Sequence, residues 1–298
     1  MIRSAYQWLS IACLAFMASC QTVTGPKPSA NDQPTKDTSH LVVLGLPAAC
    51  GALTQFALDG SVHLYDEEQH IEYHSDSVGF YKRNVPASTF KIITSLLAIE
   101  KGLLRDQYQV KAWNNRQQKN TSWNKDQDLQ EAFALSTNWF FEDLTTALGP
   151  DTINAWLRRI GYPATVNPSE TKFWLDTSFT ISPKEQIDLM QKLYHQELPF
   201  SARTLDITKS IMLRKDTLGI QIYGKTGWGT PNGKNIGWYI GWAQFAQRKP
   251  IYFATCIEQN EPASESFSQW RMEVTEMALK EAFPQAWNTS QLSKQIPE

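Results

Sequence analysis

Val85-Pro86-Ala87-Ser88-Thr89-Phe90-Lys91 runs directly into Ile92-Ile93-Thr94-Ser95-Leu96-Leu97-Ala98-Ile99. Proline blocks helix upstream of itself, serine and threonine suit a helix start, and the run that follows is too apolar for a helix on a surface. The stretch therefore reads as a buried helix beginning at Ser88. Lys91, three positions on, then shares a face with Ser88, with roughly 5–6 Å between Cβ atoms. A hydroxyl beside an amine, at the positive end of a helix and walled by isoleucine and leucine, is the pattern of an activated nucleophile. Burial disfavours the ammonium and leaves an amine that can accept a proton near neutral pH. The same residues also read as a helix cap with a snorkelling lysine, and Ser-x-x-Lys alone does not choose between the two.

Outward from this helix the pattern changes on both sides. Upstream, residues 53–58, 61–65 and 70–74 read as short strands, with Asp59-Gly60 as a hairpin signal between the first two. Downstream, residues 218–223, 235–244 and 250–258 are rich in Ile, Tyr, Trp and Phe, with turns at Thr230-Pro231-Asn232-Gly233 and around Arg248. Between them the spacing predicts helices over 129–148, stopped by Gly149-Pro150, over 152–160, stopped by Gly161, and over 183–195, with Ser182 as N-cap and Pro183 in the first turn. A last amphipathic helix is predicted over about 266–283. Strands at both ends with helices between imply an α/β (α+β) fold: one mixed, mainly antiparallel sheet flanked by helices, with an all-helical lobe over about 102–205 inserted. A ligand is expected in the cleft between lobe and sheet.

Composition narrows the function classes. The chain has 298 residues, 42% hydrophobic, with a net charge of -2, so it can bury a large core and has no basic excess for nucleic acid. Residues 1–19 carry Arg3, an apolar stretch and then small residues, which is a secretory leader. The junction Met17-Ala18-Ser19-Cys20 resembles a bacterial lipobox, so Cys20 is expected to carry a lipid and anchor the chain to a membrane on the exported, periplasmic side; a plainly cleaved, secreted form is the alternative. Residues 20–40 are polar and aperiodic and read as a flexible tether with a reach of roughly 25 Å. The body then spans 41–288, with 289–298 as a tail. Cys50 and Cys256 remain in the body and leave a disulfide open. His63, His70 and His74 read as cross-strand or surface histidines, and no metal is expected. The sequence leaves a homodimer open.

Three motifs stand in order: Ser88-Thr89-Phe90-Lys91, Ser136-Thr137-Asn138 and Lys225-Thr226-Gly227. This trio belongs to serine β-lactamases and penicillin-binding proteins. Further stretches, Phe173-Trp174-Leu175, Ile181-Ser182-Pro183, Glu185-Gln186, Leu198-Pro199-Phe200-Ser201, Lys225-Thr226-Gly227-Trp228-Gly229 and Gly237-Trp238-Tyr239-Ile240-Gly241-Trp242, make the chain resemble the class D, oxacillinase-type β-lactamases from about residue 50 to 280. The resemblance implies a sheet of five to seven strands and a hydrolase of β-lactam small molecules.

It also implies roles. Ser88 would form the acyl-enzyme, its N–H and that of Trp228 (after Gly227) the oxyanion hole, and Ser136 with Lys225 a proton relay. Thr226 and Arg271 would hold the substrate carboxylate, and Trp174 would support a carbamate formed on Lys91 by carbon dioxide. No other cofactor is implied. Two departures stand out: Asn138 replaces the apolar residue usual in class D, as in the penicillin-sensing receptors, and Tyr162-Pro163-Ala164 replaces the Tyr-Gly-Asn motif. Asn138 favours an uncarbamylated Lys91. The alternatives to a hydrolase are a receptor-like protein that is acylated with little turnover and a cell-wall D,D-peptidase.

Overall fold

The computed structural model describes residues 41–167, 169–170, 172–217 and 219–287. The expected leader over 1–19, the tether with Cys20 over 20–40 and the tail over 289–298 lie outside the described residues. In chain order the elements are β1 (Val42–Gly45), α1 (Pro47–Gln55), β2 (Asp59–Asp66), β3 (Ile71–His74), α2 (Lys91–Glu100), α3 (Leu129–Leu135), α4 (Asn138–Leu148), α5 (Pro150–Ile160), α6 (Pro183–Tyr194), α7 (Ala202–Ile211), β4 (Leu213–Thr217), β5 (Ile220–Gly229), β6 (Lys234–Phe245), β7 (Ile251–Asn260) and α8 (Phe267–Ala282). Short 3-10 turns at Ala87–Phe90 and Phe173–Leu175 complete the parts that matter for the site.

The seven strands form one mixed sheet in the order β1-β3-β2-β7-β6-β5-β4, antiparallel throughout except for the parallel β1–β3 pair. Central strands β6 and β7 are buried on both faces, as the continuous apolar runs of their sequences require. Their side chains alternate between two cores. Trp238, Ile240, Trp242, Tyr252 and Ala254 join the core that includes α2, α4 and α6, while Tyr239, Ala243, Phe253 and Ile257 join the core beneath α1 and α8. Every residue from Lys91 to Ile99 is buried, so α2 is the central helix its composition predicts.

Several local expectations change. Residues 53–58, read as a strand, are instead the last turn of α1, through Gln55, and the turn that leaves it: Pro47 starts the helix and Ala49, Ala52 and Leu53 recur on its buried face at helical spacing. Asp59-Gly60 is consequently no hairpin turn but the start of β2, and the hairpin closes between β2 and β3. The helix predicted to begin at Ser88 starts as a 3-10 turn and becomes α-helical at Lys91. The helix predicted over 129–148 breaks into α3 and α4 at Ser136, whose φ of 56° and ψ of 42° place it in the left-handed region. Strands β1 and β4 and helix α7 had no clear signal. By contrast α6 carries the full capping box, with Ser182 Oγ accepting from Glu185 N and Glu185 accepting from Ser182 N. Cys50 and Cys256 are both free. His63 and His74 are cross-strand partners, with a hydrogen bond of 2.7 Å between their Nδ1 atoms.

Candidate active site

The Ser88 turn is held from three sides. Ala87 has a φ of 48°, a conformation that a non-glycine residue keeps only when its surroundings fix it. Thr89 donates both its N–H (3.1 Å) and its hydroxyl (2.7 Å) to the Pro86 carbonyl, and Gln186 Nε2 of α6 donates to Thr89 Oγ1 at 3.0 Å. From the sheet side, β5 presses Gly227 against the turn. A Cβ at Gly227 would stand 3.0 Å from the Pro86 carbonyl oxygen and 3.3 Å from the Ser88 nitrogen, so only glycine allows this approach without displacement. Strand β4 pairs with β5 only as far as Tyr223, so the outer edge of Lys225–Gly229 has no strand partner among the described residues and faces the Ser88 turn.

The left-handed Ser136 explains how one residue serves the buried lysine twice. Its carbonyl oxygen and its hydroxyl both face Lys91 Nζ, at 2.7 and 3.1 Å, and Asn138 Oδ1 at the start of α4 adds a third acceptor at 2.8 Å. An ammonium has three N–H donors, and each finds one oxygen here. Ser136 Oγ also lies 2.9 Å from Lys225 Nζ, which donates in addition to the Thr226 carbonyl at 3.0 Å. Two amines thus meet on one hydroxyl, Lys91 over the Phe141 ring and Lys225 over the Phe133 ring.

Burial pushes Lys91 down to about 7, an effect that Glu142 partly opposes. Lys225 lies well below the ordinary lysine value, first through burial and then through repulsion from Lys91, Arg214 and Arg271. Two ammonium groups sharing one hydroxyl in a buried pocket are disfavoured, so one amine is neutral and the Ser136 hydroxyl donates to it while accepting from the other. A proton can therefore pass between Lys91 and Lys225 through Ser136 without crossing solvent.

The remaining sequence-predicted residues fall around this network. Trp174 is buried on the Phe173–Leu175 turn, which packs beside the Ser88 turn, and its neighbour Leu175 abuts Gly229. Arg271 on α8 is 8% exposed and donates Nη1 to the Gly227 carbonyl, while its Nε has no protein partner. One arm of the fork expected to grip a carboxylate is thus engaged by the strand itself. Burial, with Arg214 nearby, lowers Arg271 to about 10. Thr226 is half-buried, and Trp228 is 43% exposed and packs against Phe267 with ring centroids 5.3 Å apart and the planes inclined by 54°. Tyr162, where the usual motif is altered, is wedged against Phe90 and Phe179. Sequence reading quoted Gln186, in Glu185-Gln186, only as part of the resemblance and gave it no role, and it missed Phe141 and Asn235. Only Phe141, one helical turn beyond Asn138, had a signal in the spacing.

A serine on a constrained turn, two lysines coupled through a second serine, and a free strand edge facing the turn define the penicillin-recognising serine scaffold. The chain belongs to the penicillin binding protein transpeptidase domain family, which matches residues 61–279, and the proteins it is similar to include class D β-lactamases and a penicillin-receptor domain. Beta-lactamase OXA-3 of Pseudomonas aeruginosa is 34% identical over 69% of this chain and 74% of its own. The crystal structure of the class D β-lactamase from Sebaldella termitidis superposes with a TM-score of 0.77 at 30% identity, covering 82% of this chain and 98% of that one. The C-terminal domain of the Bacillus licheniformis BlaR penicillin-receptor follows with a TM-score of 0.75 at 27% identity, over 83% and 98%.

Proposed function

We propose that this chain is a class D-like serine β-lactamase, which opens β-lactams through an acyl-enzyme on Ser88 and then hydrolyses it. The observation that carries the reading is the Lys91–Ser136–Lys225 hydrogen-bonded chain beside the Ser88 turn. Ser88 Oγ bonds to the lactam carbonyl carbon as its proton passes to the neutral amine of this chain. The carbon–nitrogen bond then breaks, and the relay returns a proton through Ser136 to the leaving nitrogen. The N–H groups of Ser88 and Trp228 serve the developing oxyanion, and Thr226 and Arg271 the carboxylate. Water completes the cycle: it adds to the acyl carbon, the Ser88 Oγ–carbon bond breaks, and the proton returns to Ser88.

The surroundings of Lys91 Nζ suit an amine or ammonium better than the carbamate of class D enzymes. Its neighbours are the Ser136 carbonyl, the Ser136 hydroxyl and the Asn138 amide oxygen, and a carboxylate added there would face two oxygens with no proton between. The same contact favours a second reading, a receptor-like protein that is acylated and slow to release. Purified protein incubated with benzylpenicillin separates the two. The hydrolase gives a transient adduct by intact mass, lost in Ser88→Ala, together with steady product release, whereas a persistent adduct without turnover rejects it. Export and a lipid on Cys20 belong to this proposal on the strength of the leader pattern alone. Radiolabelled fatty acid incorporation in the parent but not in Cys20→Ala tests them.

A further inference from the structure

We propose that Asn235 is a positioning residue for acylation, acting through the indole of Trp228; the role rests on the β-lactam reading above. Asn235 stands on β6, is 2% exposed, and accepts two hydrogen bonds on one atom: Trp228 Nε1 donates to its Oδ1 at 2.9 Å and Thr230 Oγ1 at 3.0 Å. An indole N–H can only donate, so the atom facing it must be the amide oxygen. Asn235 Nδ2 is buried with no protein partner. A buried amide that uses only its oxygen is placed there for what that oxygen holds.

What it holds is an exposed ring at the end of the site strand. Strand alternation puts Trp228 on the same side of β5 as Thr226, opposite Lys225 and Gly227, which face Ser136 and the Ser88 turn. On that side Trp228 packs at a tilt against Phe267, one helical turn before Arg271 on α8, whose guanidinium reaches the Gly227 carbonyl. The Asn235 oxygen therefore ties the indole over the α8 face that carries Arg271, and ties the turn after β5 through Thr230. Without it the ring keeps only its contact with Phe267, and the carboxylate end of the site loses a fixed wall. Lys91, Ser136 and Asn138 lie on the other side of the strand, so the proton relay is untouched.

The test is a double-mutant cycle on the full chain with Asn235→Leu, Trp228→Phe and the double variant. It reads the second-order rate of adduct formation with benzylpenicillin and, separately, the rate of adduct loss. Each single variant is expected to slow acylation roughly three- to tenfold, the size of one hydrogen bond. The double variant should be no slower than the worse single, because both remove the same link. In Asn235→Leu adduct loss stays at the parent rate. Additive effects, equal slowing of both steps in Asn235→Leu, or acylation at the parent rate overturn the proposal. Should Asn235→Leu not fold, Trp228→Phe removes the donor from the exposed end of the same bond, and acylation at the parent rate in that variant overturns it alone. A parent protein that forms no adduct sinks the β-lactam reading itself, a separate outcome.

Discussion

Asn138 Oδ1 accepts a hydrogen bond from Lys91 Nζ at 2.8 Å, which completes a set of three oxygens matched to the three donors of an ammonium. The contact stabilises the protonated lysine, whereas burial disfavours it. Asn138→Val removes one acceptor and leaves the burial. Turnover of benzylpenicillin is expected to rise several-fold and to become dependent on added bicarbonate, with a carbamate signal in ¹³C NMR. An unchanged or lower rate would count against Asn138 as the brake.

The position of Lys91 near 7 sets a pH dependence with a definite sign. The rate of acylation should climb as pH rises through about 7, where the buried amine loses its proton and becomes a base. Stability follows linkage. The unfolded chain holds this proton up to the ordinary lysine value of 10.5, so between about 7 and 10.5 unfolding takes up a proton and stability from this group rises with pH. Lys91→Met should therefore be more resistant to urea than the parent below pH 7, with the advantage shrinking toward pH 10. A constant difference across that range would show that Lys91 keeps its ordinary pKa.

Local chemistry accounts for what the sequence made legible. The Ser182–Glu185 capping box, the Gly161 stop and the all-apolar run after Lys91 each specify one backbone state, and α6, α5 and α2 follow. The order of the three motifs exposed Lys91, Ser136, Asn138 and Lys225 as one group before any distance was known. Long-range packing decided what was not legible. Residues 53–58 alternate well enough for a strand, yet α1 wins because Glu281 of α8 accepts from the N–H groups of Ala48 and Ala49 at its start. The break at Ser136 pairs a serine with a left-handed backbone, which no propensity favours, and its reward is two oxygens on Lys91, a residue 45 positions away. Asn235 stood in an apolar strand run with no pattern to mark it.

The capping box offers a stability test away from the reacting atoms. Ser182→Ala removes the acceptor for Glu185 N and one partner of the Glu185 carboxylate. A lost N-cap costs about 1 kcal/mol, and for a body of this size the melting temperature should fall by about 2–4 °C. Differential scanning calorimetry measures it. A neutral substitution would mean that the cap is replaced by solvent.

At Gly227 strand and nucleophile turn approach too closely for a side chain, which gives a sharp structural prediction. A methyl group there would lie 3.0 Å from the Pro86 carbonyl oxygen, 3.2 Å from Thr89 Cγ2 and 3.3 Å from the Ser88 nitrogen. Two of these neighbours are backbone atoms in a turn already fixed by Thr89 and Gln186, so the strain cannot be relieved by rotating one side chain. In Gly227→Ala the turn and β5 must therefore separate by a few tenths of an ångström, and the Ser88 N–H and the Trp228 N–H move apart. Overpacking of this kind costs about 1–3 kcal/mol of stability. Displacement of reacting groups by a fraction of an ångström is expected to slow adduct formation with benzylpenicillin roughly tenfold or more. Urea unfolding and the labelling rate report the two effects independently. Labelling at the parent rate in a destabilised variant would show that the spacing between Ser88 and β5 does not control acylation.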